Sequence, residues 1–192
     1  MLLKTISKFC VFVISLSVFS ACSSVSSRDN QPNHNSDEIS TAYEKPVVVG
    51  KIESKEITES SGLAASRCQQ NVFWTHNDSG HKAEIFALDE KGKNLGKWTV
   101  SSAKSDDWED IALFKDKSGE CFLYIGDIGN NSRKRGELTI YRVKEPKISD
   151  EKREAETAEA IKITYPEFRH DAETLMVHPV SGDIYILSKR LS

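Results

Sequence analysis

Five carboxylates recur at matched places along the chain: Glu59, Asp107, Glu109, Asp171 and Glu173. They sit in three segments of one pattern, Glu59-Ser-Ser-Gly-Leu-Ala-Ala, Asp107-Trp-Glu-Asp-Ile-Ala-Leu and Asp171-Ala-Glu-Thr-Leu-Met-Val. Each has an acid, a spacer, Ser or Glu, a small or polar residue, and then a short apolar run. Carboxylates brought to one place repel each other unless a cation neutralises them or some keep their protons. Calcium suits such a set because it takes six to eight oxygens from carboxylates, amides and carbonyls. Asn77, Asp78, Asp127, Asn130 and Asn131 lie close by in the sequence and offer more hard oxygens. A second reading stays open, in which the same Asp and Asn side chains cap turns and accept backbone N–H groups.

Other chemistries find less footing. His76 and His170 stand beside acids, where each is a candidate general base or a hydrogen-bonded structural histidine. Lys189 and Arg190 close a strand and are candidates to meet an anion, or are simply a solvated strand end. Residues 127–138 begin like a calcium-binding helix–loop–helix, but Ser132 stands at the sixth position and Leu138 at the twelfth. The turn glycine and the bidentate glutamate of that loop are therefore missing. The sequence has no Gly-x-Ser-x-Gly elbow and no Gly-rich phosphate or dinucleotide loop. Its histidines have no spacing suited to zinc. The net charge of −3 and a single basic cluster, Arg133-Lys134-Arg135, argue against a nucleic-acid binder. That cluster reads as a solvated loop.

The elements that must position the acids are short strands. Each acidic segment opens one, and a second follows about ten residues later: Val72-Phe-Trp-Thr-His-Asn-Asp, Phe122-Leu-Tyr-Ile-Gly-Asp and Asp183-Ile-Tyr-Ile-Leu-Ser-Lys. The first two units continue with Ile85-Phe-Ala-Leu-Asp and Thr139-Ile-Tyr-Arg-Val, then with Gly96-Lys-Trp-Thr-Val and Ala160-Ile-Lys-Ile-Thr-Tyr. Glu90-Lys-Gly-Lys, Asp116-Lys-Ser-Gly and Pro179-Val-Ser-Gly supply hairpin turns between strand pairs. Matching Ser61, Glu109 and Glu173 gives repeats of 48 and 64 residues. Four short strands per unit at such a period predict an all-β, partial β-propeller of about two and a half four-stranded blades. Residues 150–159 have helical propensity without an apolar face, and predict a blade insertion formed as a loop or a single helical turn. Closed propellers have four or more blades, so two expectations follow. Either the natural protein runs on past Ser192, the favoured one, or copies complete each other.

The start of the chain carries an address. Lys4 and Lys8 precede an apolar run over residues 9–19, and Ser20 and Ala21 lead to Cys22. Residues 1–21 read as a signal peptide, and their loss takes the charge from −3 to −5 because it removes two lysines and no acid. Phe19-Ser-Ala-Cys22 resembles a bacterial lipobox, which makes Cys22 the expected lipidation site and implies a membrane anchor. Residues 22–45 are rich in Ser, Asn and Asp and read as a tether, leaving 46–192 for the blades. Cys68 and Cys121 occupy corresponding hairpin positions in neighbouring repeats. In an exported protein they are open to a disulfide or to burial as two thiols.

Trp74-Thr-His-Asn-Asp-Ser-Gly80, Asp107-Trp-Glu-Asp-Ile-Ala112, Gly126-Asp-Ile-Gly-Asn-Asn131 and Asp171-Ala-Glu-Thr-Leu175 together resemble a group of bacterial propeller proteins, many of them lipoproteins. More distantly they are similar to six-bladed propellers of the gluconolactonase, paraoxonase and phytase type. The resemblance spans nearly all of the expected folded part. It implies calcium at the central channel. Two functions follow as expectations: a lipid-anchored cell-envelope binding or scaffold module that holds calcium, and, alternatively, a calcium-dependent hydrolase of a lactone, ester or phosphoester. The expected partners are the membrane, through the anchor, and an unidentified protein or small molecule.

Overall fold

The computed structural model describes residues 45–189, and among them are ten β-strands and no helix. The expected signal peptide, the expected tether up to residue 44 with Cys22, and Arg190 lie outside the described residues. Strands β1 (Ser60–Ala65), β2 (Phe73–Asn77), β3 (Glu84–Leu88) and β4 (Asn94–Thr99) form one antiparallel sheet in chain order. Strands β5 (Trp108–Lys115), β6 (Cys121–Asp127), β7 (Leu138–Lys144) and β8 (Glu159–Ile163) form a second of the same kind. Strands β9 (Ala172–Val177) and β10 (Ile184–Ser188) form a two-stranded third. The hairpin turns fall where the glycines stand: Gly119 and Gly182, at φ 89° and 79°, hold matching left-handed positions before β6 and β10 that a side chain would strain.

The three sheets lie side by side with their first strands adjacent, β5 touching β1 on one side and β9 on the other. Alternation along each strand sends successive side chains to opposite faces, and in the second sheet both faces are apolar. Ile111, Leu123 and Ile125 pack with Ala64, Trp74 and Ala87 of the first sheet. Ala112, Tyr124 and Ile140 pack with Leu175, Ile184 and Ile186 of the third. Trp74, Trp98 and Trp108 are all fully buried in the first of these layers. A buried tryptophan removes on the order of 200 Å² from water, about 5 kcal/mol at 25 cal/mol/Å².

Residues 150–158 form no helical turn, contrary to one half of the expectation. Thr99 donates to the Arg153 carbonyl and accepts from the Ala155 N–H, at 3.1 and 2.9 Å, so the insertion lies along the outer edge of β4. Arg153 stacks on Trp98 at 4.4 Å from the ring centroid, which gives this polar segment an anchor that its composition did not disclose. Cys68 and Cys121 form a disulfide with a Cα–Cα separation of 6.2 Å, inside the ordinary range. It ties the first sheet to the second at the end opposite the acids.

Candidate metal centre

In an antiparallel pair the start of one strand lies beside the end of the next, and here that geometry repeats three times. Asp78 donates its N–H to the Glu59 carbonyl, Gly129 to Asp107, and Lys189 to Asp171. Because β1, β5 and β9 are adjacent, these three ends gather. Asp78 follows β2, Asp107 precedes β5, Glu109 lies in β5, Asp171 precedes β9, and Glu173 lies in β9.

Two carboxylate trios result. Oxygens of Asp78, Asp107 and Glu109 all lie within 4.8 Å of one another, and so do those of Glu109, Asp171 and Glu173. Glu109 belongs to both. It is only 6% exposed, and its carboxylate has no hydrogen-bond partner among the described residues. Burial pushes its pKa from 4.5 up to about 8, with the charges of Glu173, Asp78, Asp107 and Asp171 adding to the rise. Asp107 is pushed up too, first by burial and then by Asp78, while Arg135 draws it down.

Gly129 is the wall of this space. A Cβ built there would stand 2.3 Å from Glu109 Oε1 and 2.4 Å from Asp107 Oδ2, so only a glycine lets the backbone pass behind the two carboxylates. The set of hard anionic oxygens, those of the buried Glu109 accepting no hydrogen bond among the described residues, fits a divalent cation of the calcium type. It does not fit a soft metal, because no cysteine or histidine joins either trio.

The remaining expected ligands are otherwise engaged. Asn77 is buried, accepts from the N–H groups of Thr58 and Glu59 at 3.0 and 3.2 Å, and donates to the Glu56 carbonyl at 2.8 Å. Asn130 accepts the Arg135 N–H and donates to the Arg135 carbonyl. Asp127, 1% exposed, accepts the Asp107 N–H at 2.8 Å and pairs with Arg135 at 2.8 Å. Asn131 is exposed on the turn that follows. The Glu59 side chain is largely exposed, 3.8 Å from His81, and belongs to neither trio. For these residues the capping role is the one with visible bonds. Asp171 does both: it accepts the Asn130 N–H at 2.8 Å and lies in a trio.

His76 is fully buried between the first two sheets, its ring edge-on to Trp108 at 5.6 Å and its Nδ1 on the Asn77 carbonyl at 2.9 Å. Burial lowers its pKa and closes it to any substrate in solvent. His170 stacks edge-on against Tyr165 at 4.7 Å. Lys189 is held by Glu173 at 2.8 Å, so its ammonium is the counter-charge of the cluster and not a free anion site.

Three residues hold roles that the sequence patterns did not assign. Arg135, read as part of a solvated loop, instead donates to the Gly129 carbonyl at 2.6 Å as well as to Asp127. Its partner Asp127 stands eight residues earlier across a Gly-Asn turn, which was the available signal. Asp110 accepts the Leu175 N–H at 2.8 Å and so links β5 to β9. Glu145 is buried and accepts from Trp74 Nε1 at 2.8 Å and Gln69 Nε2 at 3.0 Å, across the first two sheets. No family model, curated protein or solved structure matches the chain.

Proposed function

We propose that this chain is a lipid-anchored cell-envelope protein of propeller type that acts as a binding module, and that it holds calcium where its first strands begin. The observation that carries the cation is Glu109: a side chain only 6% exposed, whose carboxylate accepts no hydrogen bond among the described residues and faces four other acids. Removing a carboxylate from water without pairing it is strongly unfavourable, and a bound divalent ion supplies the missing pairing. The propeller reading draws on the repeated four-strand meander and the adjacent first strands; the anchor draws on residues 1–22.

The hydrolase alternative has weaker support. His76 is out of reach of solvent, and neither histidine belongs to the carboxylate trios, so no expected base is placed among the acids. A binding role needs no such base.

The test is a thermal melt of the protein in chelator and then in millimolar calcium. Binding to the folded state alone raises the midpoint, by about 2.7 kcal/mol of stability at a hundredfold excess over Kd. The rise should disappear in Glu109→Gln, whose side chain keeps its size, loses its charge and belongs to both trios. An unchanged midpoint in the wild type would leave the acids without a ligand and overturn the cation reading.

A further inference from the structure

We infer that the cluster binds two divalent cations, with the Glu109 carboxylate bridging them. This rests on the cation-binding reading above and concerns how many ions that site takes and how they are arranged.

Ligand oxygens of one calcium lie at most about 5 Å apart, twice the calcium–oxygen distance. The five acids do not form one set on that scale; they form two trios that share Glu109 alone. Asp78 and Asp107, from the ends of the first and second sheets, lie on one side of it. Asp171 and Glu173, from the third sheet, lie on the other. A carboxylate has two oxygens, and on Glu109, a side chain only 6% exposed, neither accepts a hydrogen bond among the described residues. Such a side chain, aimed into the cluster from the middle strand of three, is the group that two ions at a spacing of about 3.5–4 Å require between them.

Charge gives the same count. The five carboxylates carry five negative charges when ionised, and the Lys189 ammonium on Glu173 cancels one. The Asp127–Arg135 pair beside them is already balanced. Four negative charges remain; one divalent ion leaves two of them facing each other, whereas two ions neutralise the set. The backbone behind Gly129 and Asp107 closes the inner side, which leaves water and an incoming ligand to complete each coordination shell.

The experiment is equilibrium dialysis of the full chain against calcium in metal-stripped buffer, with protein-bound calcium measured by elemental analysis. Two ions per chain are expected. Asp78→Asn should retain one, Glu173→Gln should retain one, and Glu109→Gln should lose most of both at the concentration that saturates the wild type. All three variants keep side-chain size, and circular dichroism reports whether each is folded. Manganese serves as a second probe: bridged ions couple magnetically and lose the resolved hyperfine signal that isolated ions show. Saturation at one ion per chain overturns the pair while leaving the cation reading intact. Two ions that survive Glu109→Gln, or that stay magnetically isolated, overturn the bridge. No bound ion at all overturns the underlying reading instead.

Discussion

Glu109 sets the pH behaviour of the folded chain. Its carboxyl titrates near 8 when folded and near 4.5 otherwise, so between those values the native state holds a proton that the unfolded state has released. Stability therefore falls as pH rises through that window. His76 acts in the opposite sense: burial lowers its pKa from 6.5, so stability is lost as pH drops below 6.5 and the unfolded chain takes up the proton. In chelator, stability is expected to decline from about pH 6.5 to about pH 8, and Glu109→Gln should flatten that decline. Denaturant midpoints across the range measure it, and an equal slope in the variant would remove Glu109 as its source. At this scale four acids of the two trios, Asp107, Glu109, Asp171 and Glu173, were legible in the sequence because they recur at fixed repeat positions, whereas Asp78 does not recur and Glu59, which does, joins neither trio. What was not legible was the division of labour among them. Asn77, Asp127 and Asn130 offer hard oxygens as Asp78 and Asp107 do, and it is their backbone partners, with Arg135 on Asp127, that separate cap from ligand.

The linkage between strands depends on Asp110. Its carboxylate accepts the Leu175 N–H across the gap between β5 and β9, and also the N–H of Ile111. Asp110→Ala leaves the Leu175 amide without its acceptor where the two sheets meet. The expected cost is about 1–3 kcal/mol, read as a lower urea midpoint. Asp110→Asn keeps an acceptor oxygen and should recover part of it. Glu159→Gln, which breaks only the exposed pair with Arg142, should cost less than about 1 kcal/mol. An Asp110→Ala variant as stable as the wild type would mean that the contact between β5 and β9 rests on the apolar layer alone. Strands and hairpins could be read in advance because alternation and turn glycines are local signals. The placement of residues 150–158 along β4 could not, since it depends on a backbone edge and a tryptophan face that lie fifty residues away.

Across the whole molecule the sheets are unequal. The second sheet is covered on both faces, whereas the third is covered on one. Met176 and Leu187 stand on the other face of the third sheet, 43% and 40% exposed. Their repeat counterparts, Ala112 and Gly126, lie inside the stack between the second and third sheets. β10 also pairs with β9 alone among the described residues, whereas β2 and β6 each pair on both sides. Local opening follows local burial and pairing, so hydrogen exchange should be slowest in β6 and β7 and at least tenfold faster in β10. Calcium should slow exchange most at the starts of β5 and β9, where the acids meet, and least in β4 and β8 at the outer edges. If β10 amides instead exchange as slowly as those of β6, something covers that edge. A dependence of their protection on protein concentration would identify the cover as a second copy of the chain.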